Sequence, residues 1–77
     1  MVIVIHEYDY SDKENNVIGV ASDRVNALKI IDEYYGKDAV QSNFRDIRDS
    51  NIDFDVIVEV DGYKFRVTGE DFEIDKV

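Results

Sequence analysis

The chain has 77 residues, of which 44% are hydrophobic, and it carries a formal net charge of −9. This length fits a single domain over residues 1–77, and the hydrophobic content argues against disorder. The absence of cysteine excludes disulfides and thiolate metal sites, and a lone histidine argues against an all-protein zinc site. No apolar run reaches membrane-spanning length, and the start "MVIVIHEYDY" lacks the features of a signal peptide, so we expect a soluble cytoplasmic protein.

The negative charge is concentrated in the second part of the chain, where residues 46–77 contain ten acidic and four basic residues. Direct binding to nucleic acid or to anionic lipid is disfavoured, because both would repel the chain. The charge instead favours a basic partner, including proteins that themselves bind nucleic acid.

The first twenty residues predict an antiparallel hairpin. Residues 2–10 alternate with Val2 and Val4 on one face and Ile3 and Ile5 on the other, which is typical of a strand buried on both sides at its beginning. The segment "SDKENN" predicts a polar turn, and "VIGVA" predicts a second strand in which the glycine marks a bulge or a close approach.

The segment after this hairpin has the pattern of an amphipathic helix that ends at Gly36. Ser22 is a suitable N-cap, and Asp23 in the first turn complements the helix dipole. Apolar side chains recur at helical spacing and form a stripe of Ala27, Ile30, Ile31 and Tyr34, widened by Leu28 and Tyr35. We expect Tyr34 to lie in the core.

The segment "KDAVQSNFRDIRDSN" predicts a short second helix. Val40, Phe44 and Ile47 repeat at helical spacing, and Asp38 with Gln41 resembles a capping box. A structured loop is the alternative.

The rest of the chain predicts strands. Apolar side chains share one face of the next segment, at Ile52, Phe54, Val56, Val58 and Val60. Asp61-Gly62 is a preferred hairpin turn, and Phe72 with Ile74 indicates a last strand at a sheet edge. The order β-β-α-(α)-β-β-β predicts an α+β fold of two layers, with a largely antiparallel sheet and one or two helices on one face.

The stretch "NIDFDVIVEVDG", residues 51–62, has a carboxylate at almost every second position. The hairpin register places Glu59 opposite Lys64 and Arg66 diagonal to Asp55, so a solvated and partly neutralised face explains part of this pattern. The alternative is a binding surface, because carboxylates on alternate strand residues lie about 6.6–6.8 Å apart, comparable to successive phosphates. The net charge of −9 also exceeds the magnitude of about 2–8 that solubility requires of a small domain.

The residues that we predict to contact a partner are acids of the second part of the chain and two tyrosines, namely Asp46, Asp49, Asp53, Asp55, Glu59, Glu70, Asp71, Glu73, Asp75, Tyr10 and Tyr35. His6 and Glu7 point to opposite faces of a strand and cannot form a catalytic pair, so we expect His6 to be a hydrogen-bonded side chain at the core margin. Nothing in the sequence near these acids suggests a nucleophile or a phosphate loop. We therefore expect that the chain is not an enzyme and needs neither cofactor nor metal.

The stretch "HEYDYSDKENNVIGVASDRVNALKII" combines a strand ending in His-Glu, a polar turn, an Ile-Gly-Val strand, a Ser-led cap and a helix with Ala and Ile four residues apart. These positions are His6, Glu7, Ile18, Gly19, Val20, Ser22, Ala27 and Ile31. In this pattern the chain resembles a group of small phage- and prophage-associated domains over about its first 35 residues. Ala21 departs from the aromatic residue expected there, and the acidic C-terminal hairpin lies outside the match.

That resemblance implies a phage or mobile-element origin, with no catalytic activity to carry over. Small acidic phage proteins often bind and block a host factor, including CRISPR effectors and restriction enzymes. The leading hypothesis is therefore a non-enzymatic inhibitor in the host cytoplasm whose acidic surface blocks a basic nucleic-acid-binding protein. The alternative is an accessory phage module that self-associates, for example as a homodimer, through an edge strand and exposed tyrosines.

Overall fold

The computed structural model describes residues 2–44 and 52–72, which form one five-stranded antiparallel sheet with one helix on one face. The elements are β1 (Val2–Asp9), β2 (Glu14–Ala21), α1 (Arg24–Tyr35), β3 (Val40–Asn43), β4 (Ile52–Val60) and β5 (Tyr63–Phe72). The strands lie in the order β2-β1-β5-β4-β3, and every neighbouring pair is antiparallel. The predicted α+β class is confirmed.

The core lies between α1 and one face of the sheet. The predicted alternation in β1 is confirmed, but the expected burial of both faces at its beginning is wrong: Ile3 and Ile5 are fully buried, whereas Val4, on the face that α1 does not cover, is only half-buried. The helix contributes Ala27 and Ile31, which are also fully buried. Each large side chain buried in this way stabilises the fold by about 1.5–3 kcal/mol relative to exposure to water.

Helix α1 begins one residue later than the sequence pattern predicts. Asp23, and not Ser22, is the N-cap: its backbone is extended and its side chain accepts a hydrogen bond of 2.8 Å from the backbone N–H of Asn26. The predicted stop at Gly36 is confirmed, since this residue has a φ of 88° and its N–H donates to the carbonyl of Asp32.

The expected core position of Tyr34 is wrong. Its side chain is 51% exposed, and the neighbouring Tyr35 turns toward the sheet instead. The reason is a polar contact: the Tyr35 hydroxyl donates to the buried carboxylate of Glu7, and its ring packs 5.3 Å from that of Phe65. Near its C-terminus the helix is therefore oriented by a hydrogen bond and not by its apolar stripe alone.

The second helix predicted after Gly36 is wrong where the structure describes that segment. Val40–Asn43 forms β3, which pairs with β4 from Val56 to Glu59. Backbone N–H and C=O groups along β4 need hydrogen-bond partners. A strand at Val40–Asn43 supplies these partners, whereas a helix in the same place would not. Ile47, the last residue of that pattern, lies outside the described residues.

The β4–β5 hairpin has the predicted turn and register, with Glu59 opposite Lys64. At the start of β4, however, a register shift lies between Ile52 and Phe54, so these two residues do not share one face as expected. Beyond the shift, the ring of Phe54 covers Gly69: a Cβ added there would overlap the ring atoms.

The separate edge strand predicted at Phe72 is wrong. Strand β5 continues through "TGED" to Phe72 and lies in the middle of the sheet, between β1 and β4. Gly69 permits this continuation because its missing side chain leaves room for an aromatic ring from the neighbouring strand. Ile74, the other residue of the predicted strand, is outside the described part of the chain.

Candidate functional site

The acids of segment 51–62 do not form the single row that the sequence pattern predicts. Asp53 lies at the bulge of β4 and pairs with Arg24 in the first turn of α1, at 2.8 Å between Nε and Oδ2. Asp55, whose side chain is fully buried, accepts two hydrogen bonds from Arg66, from Nε at 3.0 Å and from Nη2 at 2.7 Å. Both carboxylates are therefore committed to arginines of their own chain.

The Asp55–Arg66 pair lies on the sheet face that α1 does not cover. The guanidinium of Arg66 also lies 4.6 Å from the ring centre of Phe44, and the hydrogen bond to Asp55 is the main cause that raises the pKa of Arg66 above its ordinary value. Bidentate pairing of this kind fixes geometry as well as charge. These two side chains hold β4 and β5 together, and Asp55 is not available to a partner.

The other predicted contact residues are distributed over the molecule. Asp46, Asp49, Glu73 and Asp75 lie outside the residues that the structure describes. Glu70 and Asp71 lie near the end of β5, Glu59 is exposed near the β4–β5 turn, and Tyr10 is 40% exposed. Tyr35 is half-buried, and its hydroxyl is bonded to Glu7.

Three chain connections meet at one end of the sheet: the β1–β2 turn, the β4–β5 turn and the connection from α1 to β3. The pairing of Asp9 with Phe65 brings the two turns together, and the pairing of Val40 with Glu59 adds the start of β3. The C-terminus of α1 reaches the same end, since Tyr35 packs against Phe65. Four inter-strand gaps of about 4.8 Å make this end roughly 19 Å wide.

Eight carboxylates lie at this end, which we call the acidic end: Asp9, Asp12, Glu14, Asp32, Glu33, Asp38, Glu59 and Asp61. Three lysines accompany them, Lys13, Lys37 and Lys64, which leaves a charge of −5 out of the total of −9. The carbonyl end of the helix dipole adds to the negative potential, and α1 has no basic residue in its last turn. More than half of the net charge is thus gathered at one end of the sheet.

Some of these carboxylates have structural roles and others do not. Asp9 accepts hydrogen bonds from two backbone N–H groups of its own turn, and Asp32 accepts one of 2.8 Å from Gln41. In the described part of the chain, the other six acids of this end make no side-chain hydrogen bond or ion pair, namely Asp12, Glu14, Glu33, Asp38, Glu59 and Asp61. Their charge remains available to a partner.

All five tyrosines of the chain lie at or next to the acidic end. Tyr34 and Tyr63 are exposed by 51% and 56%, and Tyr10 packs edge-on against Tyr8 at 5.0 Å. Large rigid side chains with a polar tip are favoured at protein interfaces. The acidic end therefore combines negative charge with aromatic contact area.

A hydrogen-bond network anchors the acidic end to the core. The Tyr35 hydroxyl donates to Glu7 at 2.5 Å, and the side-chain amide of Asn16 donates to the other carboxylate oxygen at 3.4 Å. Burial and the bond to Glu7 raise the pKa of Tyr35 far above its ordinary value. One buried carboxylate thus links α1, β1 and β2.

The uncovered sheet face carries a shallow depression of about 430 Å³ beside Tyr8, lined also by His6, Tyr10 and Arg66. The side chain of His6 is 36% exposed, and its Nε2 lies 3.4 Å from Glu70 without completing a hydrogen bond, so the predicted hydrogen-bonded histidine is wrong at this atom. The guanidinium of Arg66, which lines this depression, is already bound to Asp55.

Among residues 2–44 and 52–72, no group of three or more metal-binding side chains lies together. Within the same residues, α1 is too short and too polar to cross a membrane. Comparison of the chain with protein-family models, with curated proteins and with solved structures gave no match.

The sequence-based prediction missed the acids of the first half of the chain and the exposed Tyr34 and Tyr63. A signal for them was present. In an antiparallel hairpin followed by a returning helix, the β1–β2 turn and the helix C-terminus must lie at the same end of the sheet. Adding the charges of these two connections would have indicated the acidic end.

Proposed function

We propose that this chain is a non-enzymatic binding protein whose acidic end occupies a basic surface of a nucleic-acid-binding protein. The observation that carries this proposal is the concentration of eight carboxylates and three exposed tyrosines at one end of the sheet. A surface of this kind competes with phosphates for lysine and arginine side chains, so its binding inhibits the partner.

Electrostatics favours this role over simple solubility. A charge spread evenly over the surface keeps a protein dissolved, whereas charge at one end produces a field that orients an approaching basic partner. Neighbouring strands lie about 4.8 Å apart, which is less than the Debye length of about 8 Å at physiological ionic strength, so carboxylates on neighbouring strands of the acidic end act together. We expect rapid association that weakens as salt is added.

The exposed tyrosines supply the part of the affinity that does not depend on salt. Tyr34 stacks on Tyr35 at 4.9 Å, and Tyr35 is fixed by Glu7, so the exposed ring is held in place before a partner arrives. An ordered side chain loses little conformational freedom on binding. The resemblance to small phage-associated domains supports a mobile-element origin, for which a host defence nuclease is the expected class of partner.

A pair of matched double variants tests the proposal. The first variant, Glu33→Gln with Asp61→Asn, removes one glutamate and one aspartate charge from the acidic end. The second variant, Glu70→Gln with Asp71→Asn, also removes one glutamate and one aspartate charge, but near the opposite end of β5. Each immobilised protein is used to capture proteins from nuclease-treated bacterial lysate. The captured proteins are then assayed for DNA binding by gel shift with and without the free wild-type chain.

We expect the first double variant to lose most of the captured nucleic-acid-binding protein and the second to retain it. The free wild-type chain should abolish the gel shift, because both ligands occupy the same basic surface. Equal capture by the two variants would contradict a role for the acidic end. Capture without any effect on the gel shift would contradict inhibition.

A further inference from the structure

We propose that a second copy of this chain binds along the outer edge of β2 and pairs with it in antiparallel orientation. This inference goes beyond the proposed function, because it concerns a different surface. Among the described strands β2 is outermost on its side of the sheet, and five of its eight residues are exposed. At about 3.3 Å per residue, β2 offers an edge roughly 26 Å long.

The absence of charge along this edge is the first argument. Residues 15–22 form the longest run of the sequence without an acidic or basic side chain. Exposed edges are commonly protected by lysine, by proline, by charges pointing inward or by a bulge, and of these β2 has only the bulge between Asn15 and Ala21. In a chain with a net charge of −9, this edge lets residues 15–22 of two copies pair without placing like charges opposite each other.

A register shift in the β1–β2 pair provides the second argument. Val17 pairs with His6 and Val20 pairs with Val4, so Ile18 is the extra residue and turns toward the core. Without the shift, two valines three residues apart would lie on opposite faces. With it, both point to the uncovered face, where Val17 is 60% exposed and Val20 is 59% exposed.

These two valines make the edge self-complementary. In an antiparallel pair centred between Ile18 and Gly19, Val17 of each copy lies opposite Val20 of the other. Cross-strand pairs of β-branched side chains stabilise a sheet by about 0.2–1 kcal/mol each, and a two-fold interface forms each pair twice. The result is a continuous ten-stranded sheet.

The direction of pairing also keeps the acidic ends apart. In an antiparallel arrangement, the acidic end of each copy lies beside the partner's opposite end, where Asp23 and Arg24 begin α1. A parallel arrangement would bring two charges of −5 side by side. The dimer therefore presents its two acidic ends in opposite directions, and each remains accessible to a basic partner.

Strand β3, at the other edge of the described sheet, is also uncharged and exposes Val40, but it is only four residues long. A four-residue ladder offers about half as many backbone hydrogen bonds as β2. For this reason we assign the interface to β2 and use β3 as the comparison.

Sedimentation equilibrium of the full chain at about 50 mM and about 500 mM salt tests this assignment, because the Debye length falls between them from about 14 Å to about 4 Å. We expect a monomer–dimer equilibrium that becomes tighter at high salt. Val20→Lys should weaken dimerisation at least tenfold. Val25→Lys, on an exposed helical position with the same change in charge, and Val40→Lys, on the other edge, should not weaken it.

A monomer at both salt concentrations up to about 0.5 mM protein would overturn the proposal. The proposal would also be overturned if the dimer of Val20→Lys were as tight as that of Val25→Lys, or if only Val40→Lys disrupted the dimer. Circular dichroism of each variant verifies folding, and Val17→Lys replaces Val20→Lys if the latter unfolds. The outcome is separate from that of the proposed function, since salt should strengthen the dimer and weaken binding to a basic partner.

Discussion

The middle of the sheet and its acidic end use the same type of side chain in different ways. At the middle, Asp55 is fully buried and bound to Arg66, and Glu7 is buried and bound to Tyr35. At the acidic end, Asp12 and Glu33 are exposed and make no bond among the described residues. The comparison shows that burial and pairing, and not the abundance of acid, separate carboxylates that hold the fold from those that are free to bind.

The largest expected effect is at Asp55. We expect Asp55→Asn to lower the free energy of unfolding by about 2–4 kcal/mol, because the substitution leaves a partly buried arginine without its countercharge. This is a large part of the roughly 4–12 kcal/mol typical of a domain of this size. Urea unfolding measures it. Glu59→Gln is the control, because Glu59 is an exposed residue of the same strand, and it should change the free energy of unfolding by less than about 0.5 kcal/mol.

A smaller effect is expected at Tyr35. Tyr35→Phe removes the hydroxyl that donates to Glu7 and leaves a buried carboxylate oxygen without that donor, so the free energy of unfolding should fall by about 1–3 kcal/mol at neutral pH. Tyr34→Phe is the matched control, since its ring is exposed and its hydroxyl has no hydrogen bond within the described residues. Equal losses in the two variants would contradict the network.

The contribution of Tyr35 depends on pH. Its pKa is raised in the folded state, mainly by burial and then by the bond to Glu7, so the folded protein holds the phenolic proton more tightly than the unfolded chain does. The stability that results is complete below the ordinary tyrosine pKa of about 10 and decreases as the pH rises above it. The difference in unfolding free energy between wild type and Tyr35→Phe should therefore be constant from pH 7 to 9 and should shrink above about pH 10.

The smallest effect on stability is expected at the acidic end itself. Repulsion among its carboxylates destabilises the folded state, so salt should raise the melting temperature of the wild type. In a variant with four neutral substitutions, Asp12→Asn, Glu33→Gln, Asp38→Asn and Asp61→Asn, the rise with salt should be smaller. Thermal unfolding followed by circular dichroism at several salt concentrations measures both. An unchanged salt dependence would show that these charges do not act together.

Much of the fold was predictable because its signals are local. The alternation in β1, the stop at Gly36 and the turn at Asp61-Gly62 each depend on one or two residues whose conformation is fixed by their own chemistry. The register of that turn also predicted the contact between Arg66 and Asp55, because a hairpin turn fixes which residues face each other across two strands.

What sequence reasoning could not predict depends on distant partners. Val40–Asn43 forms a strand because β4 offers it a ladder, and the bulge that separates Ile52 from Phe54 has no marker in its own residues. Tyr34 was expected to lie in the core because its spacing fits the apolar stripe. Whether a helix turns one tyrosine or its neighbour toward the sheet depends on a carboxylate 28 residues away along the chain.

The contact between Phe54 and Gly69 has a consequence for evolution. The ring occupies the space where any side chain at position 69 would begin, so a larger residue there would displace the ring, and a smaller residue at position 54 would leave a cavity above Gly69. In homologous sequences a larger residue at position 69 should appear together with a small one at position 54. Such paired exchange would identify distant members of this lineage even where surface charges have diverged.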